Sequence, residues 1–91
     1  MKELHLKIIT PYEIMLDEYT DMVSLPTPTG SITILPNHDS YSFTLAAGVL
    51  LTKKQNSEKK LTVFGGFATI ENNVLKIITP KAQWLAEADS L

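Results

Sequence analysis

The chain has 91 residues, a net charge of −2 and no cysteine. That length supports one domain with a single core, and the lack of cysteine excludes disulfides, thiolate metal sites and a cysteine nucleophile. All eight basic residues are lysines, and an acidic chain without the bidentate guanidinium fork is poorly equipped to read phosphate or nucleic acid. The opening residues Met1–Lys7 contain no long apolar run, so they read as neither signal peptide nor membrane span, and a cytoplasmic or organelle-interior location is expected.

Leu4, Leu6 and Ile8 alternate with His5 and Lys7, the period of a half-buried strand. Thr10-Pro11 closes it, because the residue before proline is pushed towards extended conformations. Ile14-Met15-Leu16 is a brief apolar run ahead of Asp17-Glu18, and Tyr19 to Leu25 is predicted as the second strand, ended by Pro26-Thr27-Pro28. Gly30 opens a strand carrying Ile32 and Ile34, which stops at Pro36. Beyond the polar corner Asn37-His38-Asp39-Ser40, Phe43 and Leu45 continue towards Gly48.

Val49 to Thr52 is expected to pair with Leu61 to Phe64 across a tip bearing Lys53, Lys54, Lys59 and Lys60. That tip reads as a solvated hairpin end rather than a lipid patch, which needs a denser cluster. Gly65-Gly66 marks a tight corner or bulge. Phe67–Glu71 and Val74–Thr79 form a hairpin through Asn72-Asn73, since asparagine tolerates left-handed backbone. Val74–Ile78 is apolar on both faces over much of its length. One face fills the core, and the other must meet a second layer or a partner. Only the end reads as helical: Thr79 as N-cap, Pro80 as first helical residue, and Trp84 and Ala88 one turn apart. Short strands at this spacing predict an all-β sandwich or barrel.

No catalytic constellation emerges. His38-Asp39 is the sole His–acid neighbour pair, and adjacent residues of a strand point to opposite faces, so no metal site is expected. The plainer role for His38 is to order a turn through a backbone hydrogen bond. Asp17, Glu18 and Asp21 cluster around a turn, where solvation explains them. Gly65-Gly66 lacks the Lys-Ser/Thr of a phosphate loop, and no Gly-x-Ser-x-Gly elbow is present. Trp84 is expected to cover one end of the core; Tyr12, Tyr19 and Tyr41 read as structural, in a residue type that is also favoured at interfaces.

Taken in order, Leu-Lys-Ile-Ile-Thr-Pro (6–11), Val-Ser-Leu-Pro-Thr-Pro-Thr-Gly (23–30), Ile-Thr-Ile-Leu-Pro-Asn-His (32–38), Gly-Val-Leu (48–50) and Phe-Gly-Gly-Phe-Ala-Thr-Ile-Glu-Asn-Asn-Val (64–74) resemble the N-terminal β-sandwich domain of the epsilon subunit of F-type ATP synthases. The resemblance implies a flattened sandwich of two antiparallel sheets, about ten short strands, over residues 1–80, with a short tail over 81–91 and the family's C-terminal helical hairpin absent. It implies a non-catalytic rotor component without cofactor or metal, joining the gamma subunit to the membrane-embedded c-ring and coupling proton flow to ATP synthesis. Membrane association is then indirect, at the cytoplasmic face of a bacterial inner membrane, and the isolated chain is monomeric. Thr27, Pro28, Thr29, Gly30 and Ser31 would face the c-ring; Thr10, His38, Tyr41 and Phe43 would lie towards gamma.

Three departures from the family pattern bear on these expectations. Ser31 stands where the family often has Glu, removing a charged contact with the ring. Thr33 and Asn37 replace two glycines of the family's corner; asparagine still suits a left-handed turn, and Thr33 requires a regular strand. The missing helical arm implies no inhibition by helix extension and no epsilon-type ATP site. The alternative from another class is a free-standing β-sandwich that binds a carbohydrate or peptide. An enzyme would require a concave pocket holding His38 hydrogen-bonded to a carboxylate.

Overall fold

The computed structural model describes residues 3–85, and these form eight strands. They are β1 (Leu4–Ile9), β2 (Ile14–Thr20), β3 (Met22–Thr27), β4 (Gly30–Ile34), β5 (Tyr41–Lys54), β6 (Ser57–Glu71), β7 (Val74–Ile78) and β8 (Ala82–Trp84). The all-β sandwich expectation holds, with fewer and longer strands than the sequence suggests. Hydrogen bonding links them in the order β2-β1-β7-β6-β5-β3-β4, with β8 added to β6. The long β5–β6 hairpin belongs to both layers. Its Phe67–Glu71 portion pairs with β7, while Leu61–Val63 pairs with β8 and Leu51–Lys53 pairs with β3. One neighbouring pair, β1 with β7, is parallel rather than antiparallel.

The transfer between layers is built at Gly65-Gly66. Leu61 and Val63 point into the core before the glycines, and Ala68 and Ile70 after them, so the inward parity changes from odd to even. β5 makes the matching change between Leu45 and Leu50, with no slip in the ladder between the two strands. Gly66 has φ +102°, and a Cβ there would lie 2.0 Å from the carbonyl oxygen of Ile78. The glycines therefore serve a corner, not a bulge.

Leu4, Leu6, Ile8, Leu75, Ile77, Ala68 and Ile70 from one layer meet Val23, Leu25, Ile34, Leu50, Leu61 and Val63 from the other in a single core. Burial of this kind contributes about 25 cal/mol per Å² of apolar surface and is the main force holding the layers together.

Two sequence expectations are corrected. Tyr19–Leu25 is not one strand, because the chain turns at Asp21 to pass from β2 to β3. Inward residues are Leu16 and Thr20 before the turn and Val23 and Leu25 after it, which continuous alternation cannot satisfy. Thr20 is buried there because its hydroxyl donates to the Lys53 carbonyl at 2.8 Å and accepts from Thr52 at 2.6 Å. The second correction is at the end, where residues 82–84 form a strand rather than a helical turn. Thr79 does not cap a helix; its hydroxyl accepts from the Phe64 N–H and donates to the Lys81 carbonyl, laying the chain along β6. Ala88 lies outside the described residues.

Candidate interaction surfaces

The Asn37–Phe43 stretch sits where the β4–β5 loop meets the β6–β7 hairpin. Asn72 and Asn73, with φ of 53° and 63°, make the expected two-residue turn, and Asn37 is also left-handed at 68°. Asn73 clasps Asn37: its Oδ1 accepts the Asn37 N–H and its amide donates to Asn37 Oδ1 at 3.3 Å. The two asparagine turns, with His38, Asp39 and Ser40, line an open polar cleft of about 390 Å³. His38 Nδ1–H donates to the backbone carbonyl of Asp39 at 2.8 Å, not to a carboxylate. Its ring lies edge-on to Phe43 at 6.1 Å, and Phe43 meets Tyr41 at 4.8 Å. His38, Tyr41 and Phe43 are thus one aromatic group at the end of β5, where Phe43 is half-buried and packs against the core. Among the described residues no three His, Cys, Asp or Glu side chains gather as a metal site requires.

Thr10 stands apart from that group. It ends β1, three ladders from β5, a distance of about 14 Å at the usual strand spacing. It is buried, and its hydroxyl accepts from the N–H groups of Tyr12 and Glu13 and donates to the Glu13 carbonyl. Thr10 therefore shapes the loop that presents Tyr12, which is 90% exposed.

Thr27–Ser31 is the turn of the β3–β4 hairpin. The Thr27 hydroxyl donates to the Gly30 carbonyl, closing the turn, and Gly30 has φ +128° with open space where a Cβ would stand. Thr33 occupies a regular strand position opposite Ser24. The turn and the Asn37 corner lie at opposite ends of β4, about 14 Å apart at the rise of a strand.

One surface went unassigned in the sequence reading. Ile14 pairs with Ile9, Ile9 with Ile78, and Ile78 with Phe67, so four apolar side chains on successive strands form a row across the outer face of the first layer. Ile14, Ile78 and Phe67 are 60%, 41% and 54% exposed. A bulge makes the row: the register shifts between Ile8 and Ile9, so that Ile14 stands opposite Ile9 while Met15 packs against the core. The two-faced apolar character of Val74–Ile78 was the sequence signal. The bulge that adds Ile14 has no such signal.

Two of the four lysines at the hairpin tip are paired with carboxylates. Lys54 pairs with Glu3 at 3.1 Å and Lys59 with Glu18 at 2.8 Å, and the Gln55 N–H donates to Asp21. Exposed pairs of this kind hold little energy, and they offset the charge of Lys54 and Lys59.

The model for the β-sandwich domain of the ATP synthase delta/epsilon chain matches residues 3–85. The chain belongs to that family. It is 33% identical to the ATP synthase epsilon chain of Nitratidesulfovibrio vulgaris (strain DP4), covering 97% of this chain and 66% of that one. It is 35% identical to the epsilon chain of Gloeothece citriformis, covering 94% and 62%. The chain thus spans less than two thirds of the length of these relatives. The fold is shared with a chain in the cryo-EM structure of the Euglena gracilis mitochondrial ATP synthase OSCP/F1/c-ring assembly, at TM-score 0.85 and 24% identity over 90% of this chain and 53% of that one. A chain of the Tetrahymena thermophila mitochondrial ATP synthase central stalk and c-ring matches at TM-score 0.78 and 17% identity, covering 90% and 66%.

Proposed function

We propose that this domain acts as the β-sandwich of an epsilon-type central-stalk subunit, a non-catalytic joint between the gamma subunit and the c-ring that couples proton translocation to ATP synthesis. Its place would be at the cytoplasmic face of a bacterial inner membrane, held there through the complex. The observation that carries this reading is the uncovered apolar row of Ile14, Ile9, Ile78 and Phe67 on a domain of this family. A monomeric domain gains nothing from exposing such a row, whereas a permanent partner would cover it. The turn Thr27, Pro28, Thr29, Gly30 and Ser31 meets the ring in this reading. The His38, Tyr41 and Phe43 group and the loop shaped by Thr10 lie towards gamma in this reading, and the apolar row on the outer face of the same layer faces gamma as well.

Mixing the chain with a purified gamma subunit tests the reading. A stoichiometric complex that survives gel filtration is expected. Failure to bind gamma would return the chain to the class of free-standing binding modules.

A further inference from the structure

The Thr27–Ser31 turn is carried on a hairpin that the rest of the sheet holds by a short ladder. β3 meets β5 in three residue pairs, the last of them Ser24–Leu51. Beyond that pair β3 runs on through Leu25, Pro26 and Thr27 with β4 as its ladder partner. Pro26 has no N–H with which to extend the ladder. Beside it stands Gly48 of β5, where a Cβ would lie 2.9 Å from Pro26 Cβ and 3.4 Å from Pro26 Cγ. Chain neighbours aside, no other atom among the described residues comes within 4 Å of that position. The backbone does not ask for glycine there, since the glycines at positive φ are Gly30, Gly65 and Gly66. A glycine inside a strand otherwise weakens it, and a close approach by a neighbour is what justifies one.

We infer that the Pro26 pyrrolidine seated on Gly48 aims the Thr27–Ser31 turn, which makes Gly48 a positioning residue for the contact with the c-ring. The inference rests on the proposed function and adds what fixes the direction of that turn. β5 cannot yield at this point, because it is in register with β6 along its length and Gly48 stands opposite Val63. The pyrrolidine cannot swing aside either, being closed onto the main chain. A methyl group at position 48 is therefore accommodated by the hairpin, pivoting about Ser24–Leu51. Opening the contact from 2.9 Å to an ordinary carbon–carbon separation of about 3.5–4.0 Å requires a shift of about 0.6–1.1 Å. Over the two residues from Ser24 to Pro26, an arm of about 6.6 Å, that is a rotation of about 5–10°. At Thr29, five residues from the pivot, the turn moves by about 1.5–3 Å.

The test compares the unaltered full chain with Gly48→Ala, with Pro26→Gly and with the two changes combined. Residual dipolar couplings measured by NMR give the orientation of the β3–β4 hairpin relative to β5–β6. Proton pumping per ATP hydrolysed is measured in membranes carrying an epsilon-depleted ATP synthase to which each chain is added. Gly48→Ala is expected to rotate the hairpin by about 5–10° and to lower pumping per ATP. The combined variant, in which the new methyl group takes the space the pyrrolidine leaves, should restore both. Unchanged couplings in Gly48→Ala overturn the inference and leave the proposed function standing. Rotation without loss of pumping overturns it as well, because the direction of the turn then does not matter to the c-ring. A loss of pumping that Pro26→Gly fails to rescue means that Gly48 acts through another contact, and again overturns it. If circular dichroism shows that Gly48→Ala does not fold, Pro26→Gly alone carries the test: the turn should reorient or lose order against β5–β6 while pumping falls, and no change in either overturns the inference. If the unaltered chain restores no pumping, the proposed function falls and the positioning role with it.

Discussion

Replacing Gly66 with alanine isolates the corner on which the two layers depend. The added Cβ would stand 2.0 Å from the Ile78 carbonyl oxygen and 2.9 Å from the Thr79 Cα, both main-chain atoms that no rotamer change can move. Two costs combine. Holding a non-glycine residue at φ +102° strains the backbone by about 1–3 kcal/mol. Forcing β6 and β7 apart adds an overpacking cost of about 1–3 kcal/mol. Gly30→Ala is the matched control, since Gly30 has φ +128° with nothing within 4 Å of the Cβ position, so only the strain applies. Gly66→Ala should therefore cost about 2–6 kcal/mol, a large share of the total for a domain of this size. The melting temperature should fall by about 10–30 °C, against roughly half that for Gly30→Ala. Urea and thermal unfolding followed by far-ultraviolet circular dichroism measure both. If Gly66→Ala is no more destabilising than Gly30→Ala, the close approach to Ile78 does not govern the corner and the account given for it is wrong.

Thr20→Val should cost about 1–3 kcal/mol in urea unfolding, because it leaves the buried Thr52 hydroxyl without its partner, while the Lys53 carbonyl keeps only the Asp21 N–H. Combined with Thr52→Val it should cost less than the two single changes added together, since they share one hydrogen bond. Asn73→Gly keeps the left-handed turn but removes the clasp on Asn37; amide hydrogen exchange should accelerate at residues 37–40 while global stability falls by about 1 kcal/mol. Gly30→Ala or Pro36→Ala should impair rotor coupling in reconstituted membranes at temperatures where the variant domain stays folded. Full coupling in both would remove the β3–β4 turn and the Asn37 corner from the contact surfaces.

Most of the fold was legible because its signals are local. The Asn72-Asn73 turn, the β5–β6 pairing across the lysine tip and the β4 limits at Gly30 and Pro36 follow from turn chemistry and alternation. What was missed depends on long-range partners. Thr20 lies inside the continuous Tyr19–Leu25 strand expected from local pattern, and the break after it depends on Thr52 and Lys53, more than thirty residues away, which supply its hydrogen bonds. Thr79-Pro80 has the form of a helix start, yet the Thr79 hydroxyl is engaged by Phe64 and Lys81, and tertiary pairing overrides the local preference. The surfaces were legible in part. Apolar residues on both faces of Val74–Ile78 announced an uncovered side, but the β1–β2 bulge that adds Ile14 to the row is a matter of register.

In the proposed role the domain would pass torque between partners at its two ends and so must resist shear between its layers, and side-chain packing alone resists sliding poorly. Here the layers belong to one hydrogen-bonded sheet, so in the proposed role a load applied at the Thr27–Ser31 turn would reach the apolar row through ladders from β4 to β3, β5, β6, β7 and β1. The narrowest joint on that route is β3 to β5, where three residue pairs, Met22–Lys53, Val23–Thr52 and Ser24–Leu51, are in register. The buried Thr20–Thr52 hydroxyl network and the Asp21 N–H bond to the Lys53 carbonyl sit at that same joint. Polar groups in a core cost stability unless each is satisfied, but their directionality fixes position in a way that leucine contacts do not. Their concentration at the thinnest ladder fits the proposed role, which asks for rigidity at this joint.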